Sequence, residues 1–294
     1  MASLTGSLTR GALLSPFKRP RPDADYPRAP LTLARTRIDL ARLAAYERAC
    51  GFPTGADALP PTYPHILGFP LAMRLMSGRD FPLPLLGLVH TSLDLTRYAT
   101  LPATGAYDVT VRVGGLTPHR RGTEATVVTE LRPAGEAGDF GDAEDFGDTG
   151  EAGEVVWESR STYLARHRTG RPAGTAGAPP DTPLPELTEW HLAGDLGRRY
   201  AAASGDRNPI HLHPLTARVF GFPRPIAHGM WSVARCLAEH GTPDAVRVRA
   251  RFLAPVPLPG TVRYGARDGR FELRGGERVH LTGSVEPLAS PLRR

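Results

Sequence analysis

Gly229-Met-Trp-Ser-Val-Ala-Arg-Cys-Leu-Ala-Glu-His-Gly-Thr-Pro-Asp-Ala-Val-Arg-Val-Arg-Ala-Arg-Phe252 sets two hydrophobic periods end to end. In its first part Met230, Val233, Ala234 and Leu237 fall at i, i+3, i+4 and i+7, and Trp231 and Cys236 widen the stripe. Side chains three and four apart share one helix face, so residues 229–240 read as a helix that buries most of its surface. Gly241 ends it. In the second part Val246, Val248, Ala250 and Phe252 alternate with Arg247, Arg249 and Arg251. A period of two predicts a strand with one face on a core and one in water. An apolar helix standing against half-wet strands places the chain in the α+β class.

The same signals continue outward. Val279, Leu281, Gly283 and Val285 alternate with His280, Thr282 and Ser284. Pro257-Leu-Pro-Gly260 reads as a turn, and Asp268-Gly269 as a hairpin turn between two short strands. The first half of the chain repeats the plan more faintly. Residues 38–49 and 69–76 are helical in pattern; Tyr107, Val109, Val111 and Val113 alternate; residues 123–131 and 155–165 look like further strands. Helix-then-antiparallel-sheet occurs twice, which predicts an internal repeat of roughly 130 residues. Between the copies Thr169-Gly-Arg-Pro-Ala-Gly-Thr-Ala-Gly-Ala-Pro-Pro180 makes a poor core and a good linker. The expected organisation is a loose arm over 1–32, one domain over 33–168, a linker over 169–184 and a second domain over 185–294. Residues 135–154, Gly- and acid-rich (GDFGDAEDFGD), hold too little apolar surface to fold and read as a disordered surface loop.

Composition narrows the function classes. The 294 residues are 40% hydrophobic and 22% charged, an ordinary globular balance. No apolar run reaches the roughly 20 residues of a membrane span. Cys50 and Cys236 lack metal-type spacing and fit a reduced, cytoplasmic compartment. Net charge is +6 and Lys18 is the only lysine. The arginines are scattered, with no basic helix and no aromatic-interleaved patch, so nucleic acid is not the expected partner. A phosphorylated carrier would suit them.

Chemistry concentrates in Tyr200-Ala-Ala-Ala-Ser-Gly-Asp-Arg-Asn-Pro-Ile-His211. Asn208-Pro209 breaks a helix and folds the chain, which can bring Asp206 and His211 to one side. A carboxylate beside an imidazole suits proton transfer near neutral pH. From spacing alone a plainer reading stands beside it: Asp206 caps a turn and His211 precedes a helix over 214–220. A metal reading through His211 and His213 lacks a third spaced ligand. Downstream, Pro225-Ile-Ala-His-Gly-Met230 opens the buried helix at His228-Gly229. First-turn N–H groups have no intrahelical acceptor and sit at the positive end of the dipole. Gly229 could therefore serve a thioester oxygen, or it could simply be the small residue that packing needs there.

The ordered run Tyr-x3-Ser-Gly-Asp-x-Asn-Pro-Ile-His-x5-Ala, with Ile-Ala-His-Gly-Met and Phe252-x2-Pro255-Val256-x2-Pro259-Gly260 after it, resembles the MaoC-like, or type 2, enoyl-CoA hydratases and dehydratases. The likeness spans about 185–290. The whole chain looks most like the actinobacterial double-domain 3-hydroxyacyl-thioester dehydratases. This resemblance implies a double hot-dog fold, in which curved antiparallel sheets each wrap a long central helix and the halves form an internal pseudo-dimer. It leaves room for a further homodimer. It also implies a hydro-lyase acting on acyl-CoA or acyl carrier protein thioesters of (R)-3-hydroxyacyl type, with no metal and no redox cofactor.

The resemblance assigns Asp206 and His211 as the catalytic pair. Gly229, Asn208, His228, Ser204 and Gly205 become the oxyanion and substrate-binding set. The first half offers Tyr63-Pro-His65 and Val89-His90 but no Asp-x-Asn-Pro-x-His, so one active site per chain is expected. One departure touches the substrate contacts: the long helix carries Ser232, but Ala234, Cys236 and Leu237 follow it where relatives often place a serine. The rival readings are a thioesterase on the same fold and a non-catalytic acyl-thioester-binding partner.

Overall fold

The computed structural model describes residues 18–135, 153–169 and 183–289, with positions 6, 11, 14 and 15. Most of the expected acidic loop (135–154) and linker (169–184) lies outside the described residues. Ten strands form one sheet. The first half supplies β1 (Leu31–Arg37), β2 (Val89–Arg97), β3 (Ala106–His119), β4 (Gly122–Pro133) and β5 (Trp157–Arg166). The second half supplies β6 (Glu186–Leu192), β7 (Val246–Phe252), β8 (Gly260–Arg267), β9 (Arg270–Gly275) and β10 (Arg278–Pro287). Their order across the sheet is β1-β3-β4-β5-β2-β7-β10-β9-β8-β6. Read from either edge inward, each half gives its first, third, fourth, fifth and second strand. The expected repeat is present strand for strand, as the double hot-dog reading requires. The halves join where β2 pairs antiparallel with β7, Ser92 opposite Arg251 and Arg97 opposite Val246.

Helices α1 (Leu40–Cys50) and α2 (Tyr63–Met76) belong to the first half, and α3 (Leu196–Ser204), α4 (Pro214–Val219) and α5 (Gly229–His240) to the second. Asp39 caps α1 by accepting from the Arg42 N–H at 3.0 Å. Both α1 and α3 stop at a left-handed glycine, Gly51 at φ 80° and Gly205 at φ 83°. Helix α5 lies as its stripe predicts, with Met230, Trp231, Val233, Ala234, Cys236 and Leu237 buried. They share one core with Leu43 and Tyr46 of α1, Leu93 and Leu95 of β2, and Val246 and Val248 of β7. A single core therefore crosses from half to half. A second cluster, including Leu71, Met73, Phe81, Val111 and Val127, lies wholly in the first half.

Two expectations need correction. Helix α2 starts at Tyr63, six residues before the expected Phe69. Pro64 stands in the first turn, where its missing N–H costs nothing. Pro70 lies inside the helix, a placement that costs about 3 kcal/mol in isolation. Packing of one whole face, from Ile66 to Met76, offsets it. The arm over 1–32 is also not loose throughout. Leu31 and Thr32 already belong to β1. The Ser15 hydroxyl accepts from the Leu86 N–H at 3.0 Å, and Lys18 Nζ donates to the Gly78 carbonyl at 2.8 Å. No helix among the described residues is long and apolar enough to cross a membrane.

Candidate active site

Helix α3 delivers the catalytic loop. Its glycine cap turns the chain, and Asp206 follows at once. The Asp206 N–H donates to Ser204 Oγ at 3.1 Å, and Asp206 Oδ1 accepts from the Asn208 N–H at 3.1 Å. Asn208 Oδ1 in turn accepts from the Ile210 N–H, starting the single 3-10 turn Pro209–His211. These local bonds are what Ser, Asp and Asn side chains offer a backbone that leaves a helix. His211 arrives with its ring buried and its Nδ1 2.7 Å from the Ile226 carbonyl. A carbonyl only accepts, so Nδ1 carries the proton and Nε2 keeps a lone pair.

His228, the residue before α5, closes the group. Its ring stacks on His211 with centroids 3.7 Å apart, and the Tyr200 ring lies tilted against it at 4.8 Å. His228 Nε2 donates to the Asp206 carbonyl oxygen at 3.0 Å and lies 3.9 Å from Asp206 Oδ2. Asp206, His211 and His228 offer ligand-type atoms all within 4.8 Å of one another. That spacing admits one bridging water, or a cation. His228 Nε2 and His211 Nδ1 already donate to carbonyls, so a cation would have to break the bond from His228 Nε2 to use that nitrogen. His213 stands apart from the group: its Nδ1 accepts from the Leu215 N–H at the start of α4, and the ring is a helix cap.

Burial sets the electrostatics. Removal from water pushes the Asp206 carboxyl above the usual carboxylate range, partly countered by His211 and by the Asn208 N–H. Asp206 still leaves 27% of its side chain exposed, an opening through which a substrate can reach it. Burial pushes His211 below the ordinary histidine value, countered by Asp206 and by the Ile226 carbonyl. His228 is pushed well below it by burial and by His211. The site at neutral pH holds neutral imidazoles beside a carboxyl that gives up its proton reluctantly.

The structure separates the predicted residues by what they touch. Asp206 and His211 meet. Ser204, Gly205 and Asn208 shape the loop through the bonds above. His228, at 2% side-chain exposure, braces the Asp206 backbone and the His211 ring. At Gly229 the structure bears on the packing reading. A Cβ there would stand 2.9 Å from Phe252 Cε1, so packing demands glycine, while its first-turn N–H still lacks an intrahelical acceptor. Sequence reasoning missed the first-half contribution. The Phe252 ring lies 4.6 Å from His90, and His90 lies 4.6 Å from Tyr163 of β5. Tyr163 is close enough for the Asp206 charge to help hold its hydroxyl protonated. No local pattern in the sequence marks Tyr163, and His90 is noted without this role, because only strand pairing within the first half and across to β7 brings them here.

Comparisons with known proteins agree with this geometry. A family model described as "MaoC like domain" matches residues 175–283, the segment that holds the site. 3-Hydroxyacyl-thioester dehydratase X of Mycobacterium tuberculosis is 36% identical over 280 residues, covering 92% of each chain. The crystal structure of HtdX of Mycobacterium tuberculosis superposes with a TM-score of 0.72 at 34% identity, covering 88% of this chain and all of that one. A MaoC-like dehydratase from Phytophthora capsici, 18% identical, shares the fold at a TM-score of 0.65 over 93% of this chain and 99% of its own.

Proposed function

Because this chain belongs to the MaoC-like dehydratase family, we propose that it is a hydro-lyase that removes water from (R)-3-hydroxyacyl thioesters and adds it to trans-2-enoyl thioesters, with Asp206 and His211 as the proton-transfer pair. The observation that carries the assignment is the His211 ring: its Nδ1–H is tied to the Ile226 carbonyl, which leaves Nε2 a lone pair, and a ring nitrogen of His211 lies within 4.8 Å of an Asp206 carboxyl oxygen. A water held between them has a base on one side and a carboxyl of raised pKa on the other.

In the hydration direction His211 Nε2 takes a proton from the water as its oxygen attacks the β-carbon. The α-carbon gains a proton from the Asp206 carboxyl. Charge passing onto the thioester oxygen meets the Gly229 N–H at the positive end of α5. Positioned proton transfer is worth roughly 10²- to 10⁴-fold. One well-aimed donor is worth about 10²- to 10³-fold. The step needs no metal or redox group, because water, base, acid and donor all come from the loop and the helix start. The catalytic half is 185–294; the Asp-x-Asn-Pro-x-His pattern does not recur over 33–168. The carrier is coenzyme A or an acyl carrier protein.

The test is loss of enoyl absorbance when the purified protein meets crotonyl-CoA and a longer trans-2-enoyl-CoA, and the same acyl groups on a carrier protein. His211→Ala and Asp206→Asn are each expected to lose about 10²-fold or more in kcat. Activity that survives either change refutes the pair. Release of free thiol without hydration would make the protein a thioesterase instead.

A further inference from the structure

The catalytic loop leaves α3 at Gly205, and the group that holds this exit comes from the other half. Arg42 of α1 donates from Nε to the Ala203 carbonyl at 2.8 Å and from Nη2 to the Ser204 carbonyl at 2.7 Å. The last four carbonyls of a helix have no intrahelical donor. The Gly205 N–H satisfies Ala201, and Arg42 satisfies Ala203 and Ser204 together. A planar guanidinium can hold both at once, and its charge suits the negative end of the helix. Ser204 is also bound to the next residue but one, since its Oγ accepts from the Asp206 N–H. Arg42 is thus one residue removed from the carboxylate through hydrogen bonds.

The two-bond arginine clamp is not repeated at the α1 exit, where the indole of Trp231 donates to the Ala49 carbonyl instead. Tyr46 and Tyr200 each stand five residues before their glycine caps, and their rings lie 6.0 Å apart. The same count sets Leu196 against Arg42. Leu196 is buried at 5% exposure and has no donor to give. After Gly51 comes Phe52, where Asp206 follows Gly205. A guanidinium holds the last carbonyls of the helix that leads to the carboxylate; at the α1 exit the Arg235 guanidinium stands beside Gly51 and pairs with Glu239.

We propose that Arg42 is a positioning residue for Asp206: supplied by the catalytically silent half, it fixes the exit of α3 so that the carboxyl stays in reach of His211. The proposal rests on the reading of Asp206 as a proton-transfer group. It predicts a loss in kcat rather than in KM, because a small misplacement of a catalytic group costs rate. It also predicts that Arg42 ceases to matter once the Asp206 carboxyl is gone.

The experiment compares Arg42→Ala, Arg42→Met and Arg42→Lys in the full chain, alone and with Asp206→Asn. Hydration kinetics with crotonyl-CoA are read beside amide hydrogen exchange of residues 205–210. Arg42→Ala and Arg42→Met are expected to lose about tenfold or more in kcat with KM nearly unchanged. Arg42→Lys, a single ammonium that cannot span both carbonyls, recovers part of it. Exchange at 205–210 speeds about tenfold while α5 keeps its protection. In the Asp206→Asn background the further loss is under about twofold. An equal loss in both backgrounds overturns the proposal, and so does unchanged exchange at 205–210. A parent protein that hydrates no enoyl thioester sinks the proposed function alone; the exchange measurement still decides the clamp.

Discussion

The two halves share a strand order and differ in the connection that follows each glycine-capped helix. In the first, the segment from the Gly51 cap to the start of α2 spans residues 51–62; in the second, the segment from the Gly205 cap to α5 spans 205–228 and holds a 3-10 turn and α4. The shorter connection carries Phe52, whose ring packs on Tyr46 at 6.4 Å. The longer one carries Asp206 and His211. The scaffold is common, and the proposed proton-transfer pair lies in the longer connection. Histidine alone does not make a site. His65 and His90 of the first half lie 6.3 Å apart, each with a buried ring nitrogen that has no partner, and no carboxylate stands with them.

The largest effects should break this comparison along the boundary between halves. His211→Ala and Asp206→Asn lose about 10²- to 10⁴-fold in kcat, whereas His65→Leu stays within about threefold of the parent. Kinetics with crotonyl-CoA measure all three. A His65→Leu loss as deep as that of His211→Ala would show that the silent half takes part in the chemistry.

The second effect sharpens the comparison in stability. Burial lowers His65 to about 4 and His90 to about 3, against 6.5 in an unfolded chain. The folded state refuses protons that the unfolded state accepts, so both contributions are full above pH 6.5. They drain as pH falls through 6.5 toward 4 and 3. Two such groups give a slope of up to about 2.7 kcal/mol per pH unit in that window. Urea unfolding from pH 7 to pH 4.5 measures it, and His65→Leu should flatten it by about one proton. A slope unchanged by that substitution would mean that His65 takes up a proton in the folded state.

How much of this was legible in the sequence follows from what each feature depends on. Helix α5 and strands β7 and β10 were readable because their apolar periods are local and strong. Helix α2 was read short because Pro70 looks like a first-turn residue, and only burial of the whole face overrides it. Asp206 and His211 were found through a turn that a short motif encodes. That Ser204 and His228 brace the loop did not show, since spacing does not reveal where a side chain points. Arg42 and Tyr163 carried no signal at all, and His90 was noted only as a histidine without the motif around it. Their neighbours in space are as many as 162 positions away in the chain.

The third effect separates packing from chemistry at the start of α5. Gly229→Ala keeps the N–H but pushes a methyl against Phe252 Cε1 at 2.9 Å and Cδ1 at 3.2 Å. Overpacking of this kind costs about 1–3 kcal/mol. Thermal unfolding should drop by several degrees, and kcat by less than about tenfold because the donor remains. A loss beyond 10²-fold with an unchanged melting temperature would mean that ring displacement closes the site itself.

The smallest effect tests the tie between the halves away from the chemistry. Trp231 Nε1 of α5 donates to the Ala49 carbonyl in the last turn of α1 at 2.8 Å. That carbonyl is one of those a helix end leaves without a donor. Trp231→Phe keeps most of the apolar surface and removes the donor, so a part-buried carbonyl loses its partner at a cost of about 1–3 kcal/mol. The expected outcome is a melting temperature a few degrees lower with kcat within about twofold of the parent. Unlike Arg42, Trp231 grips the silent half's own helix and leaves the exit of α3 untouched. A collapse in kcat at constant stability would therefore show that the catalytic loop is held through the packing of α5 on α1, and that scaffold and chemistry are not separable in this chain.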